Sequence, residues 1–217
     1  MIKIEFEGTD GAGKTTGLKY FIEQAKKKGL SVVETREVGN PHVPACVKLR
    51  EFVLDPASNL TGEAMECIFA AMRFENDAWL QKLQAQDGKG PDFVVSDRGM
   101  LSHLAYTDHN VSIEFSERFY IENALQMTSG PDVVIYFAVN TETALKRRQK
   151  RGSGMDVIEM KGVGYQEKVR ESFLKYIDDM TESGSPCAIF EVDANEDIEG
   201  VQAQLDEVLE NILTICS

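Results

Sequence analysis

The sequence lacks the features that mark disulfide-rich, metal-binding and membrane-spanning proteins. Its four cysteines include no CxxC pair and no spacing typical of a metal site: Cys46, Cys67, Cys187 and Cys216. No apolar run approaches the roughly 20 residues that a membrane helix requires, and the start of the sequence has no signal-peptide pattern. We therefore expect a soluble cytoplasmic protein with reduced thiols and no membrane contact.

Positive charge is also scarce. The chain has 23 Lys and Arg against 36 Asp and Glu, for a formal net charge of −13. This balance argues against a nucleic-acid partner, because a polyanion needs a basic field, although a local basic pocket can still hold phosphates. An apolar fraction of 42% over 217 residues is enough for a sizeable core, and we expect a single domain, 1–217.

Apolar strand-like runs alternate with longer helical patterns, which predicts a parallel sheet with helices on both faces. The predicted strands are 2–6, 31–35, 93–96, 133–138 and 188–192. The predicted helices are 14–28, 43–54, 62–86, 101–107, 112–127, 141–151, 165–180 and 198–215. Four glycines and little periodicity between 152 and 164 indicate a mobile loop.

Residues 8–16, GTDGAGKTT, fit the phosphate-loop pattern G-x-x-x-x-G-K-[ST] between the first strand and the first helix. This pattern predicts that the loop's N–H groups surround a phosphate chain at the positive end of that helix. The predicted ATP-binding residues are Gly8, Gly11, Ala12, Gly13, Lys14, Thr15 and Thr16. Lys14 would reach the terminal phosphates and the Thr15 hydroxyl would ligate Mg²⁺. The alternative is an ordinary glycine-rich turn, and the strand-loop-helix context favours a three-layer α/β P-loop NTPase fold.

Two further patterns favour a small-molecule kinase among phosphate-loop proteins. The chain has no N-K-x-D for reading guanine, and the strand at 93–96 is followed by Asp97-Arg98 instead of Asp-Glu. Asp97 could hold Mg²⁺ through water, and Arg98 could bind the phosphate of an acceptor. A basic run with the following glycine-rich loop, about 146–164, predicts a lid that closes over the phosphates, the alternative being a solvated basic helix face.

Several segments together resemble the thymidylate kinase family. They are 6–16, 35–37, 49–51, 69–73, the Asp97-Arg98 pair with Ser102 and 105–106, and the lid from 151 to 159. Their order and spacing are similar to that family over about residues 1–195. The phosphate loop has no arginine at 10–12 while the lid is basic, so the chain resembles the bacterial-type members.

The resemblance implies roles for the acceptor side. Phe69 would stack on thymine, and Arg73, one turn further along the helix, would reach a polar edge of the base. Without the resemblance, Phe69 would be a core aromatic and Arg73 a surface ion-pair partner. Tyr106 matches an aromatic residue near C2′ that disfavours ribose. Ser102 and His103 are the remaining expected substrate-binding residues, and His103 lies on the segment that faces the base, together with Thr107.

The resemblance also implies the groups around the transferred phosphate. Asp10 would lie near the acceptor's sugar and the Mg²⁺ ion. Arginines that match the monophosphate site are Arg36, Arg50 and Arg98, and those that match the lid clamp on ATP are Arg147, Arg148 and Arg151. The expected catalytic residues are Asp10, Lys14, Arg98, Arg148 and Arg151. The expected metal ligands are Thr15, Asp97 and Asp10.

The chain also departs from the family pattern. Val38-Gly39 follows Glu37 where the family has Pro-Gly-Gly, and Gly99 replaces a tyrosine or histidine. Val157 replaces the arginine after the lid aspartate, and Thr107 stands where glutamine or serine is common.

The resulting hypothesis is a homodimeric thymidylate kinase that converts ATP and dTMP to ADP and dTDP with Mg²⁺. Two alternatives remain open: a kinase for another or a modified deoxynucleoside monophosphate, and a non-catalytic nucleotide-binding regulator.

Overall fold

A computed structural model describes residues 1–85, 90–107, 111–112, 130–151 and 162–215. The strands are β1 (Ile2–Glu7), β2 (Val32–Arg36), β3 (Phe93–Asp97), β4 (Val133–Ala138) and β5 (Ala188–Asp193). The helices are α1 (Lys14–Lys27), α2 (Pro44–Leu54), α3 (Gly62–Ala85), α4 (Met100–Thr107), α5 (Thr141–Arg151), α6 (Val163–Glu182) and α7 (Ile198–Ile215), with a 3₁₀ turn at Pro56–Ser58.

The five strands form one parallel sheet in the order β2-β3-β1-β4-β5, which confirms the predicted α/β class. The strands and helices lie within about two residues of their predicted positions, and β4, α5 and α7 have the predicted bounds. The predicted helix at 112–127 lies almost entirely outside the described residues, as does the central part of the predicted lid, 152–161. No helix in the described ranges combines the length and the apolar character needed to cross a membrane.

Side chains that alternate along the strands build a core on each face of the sheet. On one face, Phe6 packs with Phe21 of α1 and Leu205 of α7. On the other face, Tyr136 packs with Phe173 of α6 in the cluster that also contains residues of α4. The alternation follows from the two-residue repeat of a strand, and it produces the predicted three layers.

The topology brings three loops to one edge of the sheet. The central strand β1 lies between β3 and β4, and Phe6 of β1 is in register with Asp97 of β3. Arg36 of β2 pairs in register with the same Asp97. Because the strands are parallel, the segments that follow Glu7, Arg36 and Asp97 all emerge at their carboxyl ends, where ligands bind in open α/β sheets.

The central strand carries charge on one of its faces. Lys3, Glu5 and Glu7 alternate with the apolar Ile4 and Phe6, and all five side chains are buried. A charged group costs free energy when it leaves water unless partners compensate it, so the packing around this face is determined by ion pairs and hydrogen bonds.

Lys3 is the cation of this face. Its Nζ lies 2.9 Å from Glu5 Oε1 and 3.7 Å from Glu37 Oε1. Burial alone would lower the pKa of Lys3, but the Glu5 and Glu37 charges reverse that effect and raise it above its usual value. The other oxygen of Glu5 accepts a hydrogen bond from the Met100 amide at 3.1 Å. A Cβ at Gly99 would overlap the Glu5 carboxylate, so the glycine there leaves room for that carboxylate.

We predict that Lys3→Met lowers the free energy of unfolding by about 3 kcal/mol, because it leaves the Glu5 and Glu37 carboxylates buried without their shared cation. Urea denaturation at neutral pH measures this loss. Lys27→Met is a matched control, since Lys27 pairs with Glu23 at 2.8 Å on an exposed surface and should change stability by less than about 0.5 kcal/mol. A Lys3→Met protein as stable as the wild type would contradict this account.

Candidate active site

The segment between β1 and α1 has the backbone shape of a phosphate loop. Gly8, Gly11 and Gly13 have φ values of 137°, 89° and 92°, a region that residues with a Cβ rarely adopt. A Cβ at Gly11 would overlap the carbonyl of Ala144 in α5. The glycines are therefore required both by the turn and by its close packing against α5.

The Lys14 side chain folds back over the loop and binds two of its carbonyl oxygens. Its Nζ donates to the carbonyl oxygens of Gly8 and Thr9, each at 2.8 Å. Burial and the nearby Arg98 charge lower the pKa of Lys14 to about 8. A phosphate chain in the loop would add negative charge beside this buried ammonium.

Thr15 and Asp97 bring two oxygen ligands together beside the loop. The Thr15 hydroxyl donates to Asp97 Oδ2 at 2.9 Å. A hydroxyl and a carboxylate oxygen are ligands that suit Mg²⁺, which is commonly held by few protein groups together with phosphates and water. The described residues contain no cluster of three or more His, Cys, Asp or Glu side chains that could hold a metal by themselves. The site therefore fits an Mg²⁺ ion that arrives with a nucleotide.

Arg98 connects the phosphate loop to α4. Its Nη1 donates to the Gly8 carbonyl at 3.1 Å and to Ser102 Oγ at 2.9 Å, while Nη2 pairs with the Asp10 carboxylate. The guanidinium also lies 5.1 Å from the centre of the Tyr106 ring. Arg98 itself has a left-handed backbone with φ of 72°, a conformation uncommon for residues other than glycine and one that recurs at functional sites.

Asp10 is surrounded by donors. Besides Arg98, its carboxylate accepts from the Tyr106 hydroxyl at 3.2 Å and from Gln166 Nε2 at 3.4 Å. Burial would raise the pKa of Asp10, but the Arg98 and Lys14 charges outweigh it and hold the pKa below its usual value. Asp10 is thus a carboxylate at neutral pH.

Glu7, the last residue of β1, is buried near Asp10 and Arg98 and accepts hydrogen bonds from the first turn of α4. Its two oxygens accept from the Ser102 amide, at 3.0 Å, and from the Ser102 hydroxyl. Complete burial, with the neighbouring Glu5 charge, raises the pKa of Glu7 to about 7. Glu7 therefore reaches its titration range at physiological pH, one residue before the phosphate loop.

A second end of the site is formed by α3 and α4. Phe69 meets the His103 ring edge-on, with 6.5 Å between ring centroids. Arg73 Nε donates to Glu37 Oε2 at 3.0 Å, and Glu37 also accepts from Asn76 at 2.8 Å. The charges of Lys3 and Arg73 outweigh the effect of burial and keep the pKa of Glu37 low. Arg73 is thus held by a buried carboxylate and is not a surface ion-pair residue.

One cavity of about 890 Å³ joins the two ends. The predicted site residues in its wall are Asp10, Gly11, Ala12, Gly13, Lys14, Thr15, Thr16, Arg50, Phe69, Arg73, Asp97, Arg98, Ser102, His103, Tyr106, Arg147 and Arg148. Gly8 and Arg36 are not among the residues that line it. The side chain of Arg151 lies outside the described part of the chain.

The remaining arginines differ in what they contact: some line the cavity, and some donate hydrogen bonds to backbone carbonyls. Arg147 lines the wall but donates to the carbonyls of Ala194, at 2.7 Å, and Glu196, at 3.3 Å, so it ties α5 to the loop after β5. Arg148 also lines the wall, and its buried Nε has no hydrogen-bond partner among the described residues. Arg36 Nε donates to the Gly39 carbonyl at 3.0 Å, which places its guanidinium at the loop after β2.

The basic run in α5 is therefore of mixed character. Lys146 is exposed and pairs with Glu142 at 2.6 Å, and Lys150 is exposed as well. These two lysines fit a solvated helix face, whereas Arg147 and Arg148 face the cavity.

Several residues that build the site belong to no sequence motif that gives them a role. Glu37 and Glu66 line the cavity, and Glu7 and Gln166 contact residues in its wall. The position of Glu7 directly before the glycine-rich loop was a usable signal. Glu37 lies in segment 35–37, which carries the family resemblance, but it had no role of its own. Glu66 and Gln166 had no signal, because a buried carboxylate or amide is recognised only once its partners are known.

The phosphate loop shares its cavity with a second end, which is lined by Arg50 and Arg73. This arrangement places the α/β protein among the P-loop phosphotransferases of the nucleoside monophosphate kinase type. Comparison with known sequences narrows the class. A family model described as thymidylate kinase matches residues 6–205, and the chain belongs to this family.

Individual relatives are similar over almost their whole length. A thymidylate kinase of Enterococcus faecalis is 32% identical over 215 residues, covering 96% of both chains. One from Lactobacillus helveticus is 30% identical over 213 residues, covering 97% of this chain and 96% of the relative. One from Pseudomonas fluorescens is 29% identical over 213 residues, covering 98% and 96%.

We predict that Glu7 makes stability depend on pH. The pKa of Glu7 is about 7 in the native chain against an ordinary 4.5, so the unfolded chain releases this proton first as pH rises. The free energy of unfolding should therefore fall between about pH 4.5 and 7, by about 3 kcal/mol from this group, and then level off.

Urea denaturation of wild type and Glu7→Gln across this range measures the effect, because glutamine mimics the protonated acid and should remove the decrease. The exposed substitution Glu171→Gln should retain the wild-type pH dependence. Parallel pH profiles for wild type and Glu7→Gln would show that Glu7 does not titrate there.

Proposed function

We propose that this protein is a dTMP kinase, which transfers the γ-phosphate of ATP to dTMP with the help of Mg²⁺. The observation that carries the proposal is the single cavity, with the phosphate loop at one end and Phe69 with Arg73 at the other. Arg98 and Asp10 lie between them and contact both the loop and α4. Membership in the thymidylate kinase family supports dTMP as the acceptor.

On the donor side, the chain supplies amide groups and cations. The N–H groups of the loop and the N-terminus of α1 would bind the β- and γ-phosphates, with the Lys14 ammonium exchanging its carbonyl partners for phosphate oxygens. Thr15 and Asp97 would hold Mg²⁺, which neutralises charge on the phosphates when bound. Arg148, which faces the cavity, would add positive charge at the transferred group together with Arg151 of the lid.

On the acceptor side, Phe69 would stack on the pyrimidine and Arg73 would donate to its carbonyl oxygen. Arg50 and Arg98 would bind the monophosphate. Arg98 is already fixed by Asp10 and Ser102, so it loses little conformational freedom when the acceptor binds.

Tyr106 and Asp10 would lie at the sugar. The Tyr106 ring is buried and fixed by Phe173 at 6.3 Å between centroids. A fixed aromatic ring beside C2′ excludes a ribose hydroxyl by volume, which supports a preference for the deoxynucleotide.

A coupled assay for ADP release tests the reaction with ATP, Mg²⁺ and a panel of acceptors: dTMP, dUMP, dCMP, dGMP and ribothymidine monophosphate. We expect the highest kcat/KM with dTMP. Turnover confined to a non-thymine acceptor would overturn the proposed substrate, and ATP binding without phosphoryl transfer to any monophosphate would indicate a regulator.

We predict that Lys14→Ala lowers kcat/KM for dTMP by at least about 100-fold, because it removes the cation that contacts the transferred phosphate. Steady-state kinetics with saturating ATP measure the loss. Lys19→Ala is the matched control on the exposed face of α1 and should keep wild-type rates. An active Lys14→Ala enzyme would contradict the assignment of the phosphate loop.

We also propose that the protein is a cytoplasmic homodimer that packs through α3. Four small or apolar residues recur along one exposed stripe of this helix at the spacing of one face: Cys67, Ala71, Phe74 and Ala78. Phe74 is 39% exposed. A stripe of this composition can be buried against a symmetric copy of itself.

Phe74→Glu is expected to convert a dimer to a monomer, because it buries one carboxylate from each of the two protomers in the symmetric contact, at a cost in desolvation and like-charge repulsion. Sedimentation equilibrium measures the mass. The exposed substitution Lys19→Glu on α1 should leave the dimer intact, and a wild-type monomer would contradict the proposal.

A further inference from the structure

A short series of hydrogen bonds leads from the interior of the protein to the guanidinium of Arg98. Glu7, at the end of β1, is fully buried and is not among the residues that line the cavity. Ser102, in the first turn of α4, does line it. The Ser102 hydroxyl donates to Glu7 Oε2, and its oxygen accepts from Arg98 Nη1 at 2.9 Å. Ser102 therefore connects a buried carboxylate to the arginine that is proposed to bind the acceptor phosphate.

The chemistry of the three groups fixes the direction of both bonds. A guanidinium only donates hydrogen bonds, and an ionised carboxylate only accepts them. The single proton of the Ser102 hydroxyl therefore goes to Glu7, which leaves the lone pairs of Oγ for Arg98. A hydroxyl that donates to a carboxylate is polarised, so it is a better acceptor for the next donor.

We propose that Glu7 is a positioning residue for Arg98: through the Ser102 hydroxyl it fixes the guanidinium in the orientation that meets the acceptor phosphate. Because Glu7 does not line the cavity, it acts through Ser102 and Arg98 and does not touch the substrate. This inference rests on the proposed function, since it concerns how an arginine of the same site is oriented.

Two other contacts of Arg98 lie within the phosphate loop. Its Nη1 also donates to the Gly8 carbonyl at 3.1 Å, and its Nη2 pairs with Asp10. Asp10 is part of the cavity wall, so a bound nucleotide can compete for it. The bond to Ser102 differs, because it connects the guanidinium to a carboxylate that is fully buried. A bound nucleotide has no direct access to that carboxylate.

A purely structural role for Glu7 would be to hold the start of α4. The Ser102 amide donates to Glu7 Oε1 at 3.0 Å, and this bond would serve such a role. Glu7→Gln separates the two roles, because glutamine keeps the volume and its oxygen can still accept from the amide. Its NH₂ group would then face the Ser102 hydroxyl as a second donor beside Arg98, which reverses the polarity of that contact and removes its charge.

Steady-state kinetics with ATP and dTMP at about pH 8, above the pKa of Glu7 of about 7, test the proposal. We expect Glu7→Gln to lower kcat/KM for dTMP by about tenfold, because a displaced guanidinium no longer meets the phosphate. The KM for ATP should stay at the wild-type value. Glu171→Gln, the same change at an exposed position of α6, should keep wild-type kinetics.

Urea denaturation at the same pH separates this loss from a loss of folding. Glutamine places no charge in the interior, so Glu7→Gln should be at least as stable as the wild type. A role limited to holding α4 predicts the opposite relation, in which activity falls only as far as stability does.

A double-mutant cycle shows whether Glu7 acts through the hydroxyl. Ser102→Ala should lower kcat/KM for dTMP by a similar factor, because it removes the bond to Arg98. In the Ser102→Ala background we expect Glu7→Gln to change kcat/KM by less than about twofold, since the group that transmits its effect is absent. Losses that multiply would show that Glu7 acts independently of the hydroxyl.

The orientation of Arg98 is measured without turnover by NMR of the arginine side chains. Rotation about the Nε–Cζ bond exchanges the two Nη groups, and hydrogen bonds that fix the guanidinium slow this exchange. The Arg98 signals are assigned by their loss in Arg98→Lys. We expect slower exchange in the wild type than in Glu7→Gln and Ser102→Ala.

Three results would overturn the inference: wild-type kcat/KM in Glu7→Gln, losses that multiply in the double mutant, or an Arg98 exchange rate that Glu7→Gln leaves unchanged. If the wild type transfers phosphate to no monophosphate, the proposed function fails. The exchange rate still decides in that case whether Glu7 positions Arg98, because it requires no turnover.

Discussion

The Arg98 guanidinium is the group on which the arrangement of this site depends. It contacts the Gly8 carbonyl, Asp10 and Ser102, which belong to the phosphate loop and to α4. Because a guanidinium presents its donors in a fixed planar fork, these contacts set the position of the loop relative to the helix. A donor site and an acceptor site that must meet at one phosphorus atom need this kind of rigid connection.

A second constraint lies beneath Arg98, on the charged face of β1. Lys3, Glu5 and Glu7 take the positions where a central strand would ordinarily carry apolar side chains. Glu5 and Glu7 hold the start of α4 through its backbone amides. Lys3 and Glu37 connect the same strand to Arg73. The free energy that burial of these charges costs is offset only when α3 and α4 are in place, so stability and the shape of the acceptor site are coupled.

Much of the fold and part of the site's organisation could be predicted from local patterns. The bounds of β4, α5 and α7 follow from apolar periodicity. The phosphate loop follows from the glycine spacing, since only certain backbone angles allow that turn. The division of the basic run could not be predicted: Lys146 pairs with Glu142 in solvent, while Arg147 reaches two carbonyls of a loop some 47 residues further along the chain. The presence of basic residues in a helix does not determine which of them face solvent and which face the cavity.

The sequence by itself determined the class of fold, the phosphate loop and the family, because each of these is written in short-range spacing or in similarity along the chain. Tertiary structure alone decided which polar residues act together. Glu66 and Gln166 have no local pattern, and no pattern predicts the hydrogen bond from Arg36 Nε to the Gly39 carbonyl. The physical reason is that a buried charge or amide takes its role from its partners, and those partners come from strands and helices far apart in sequence.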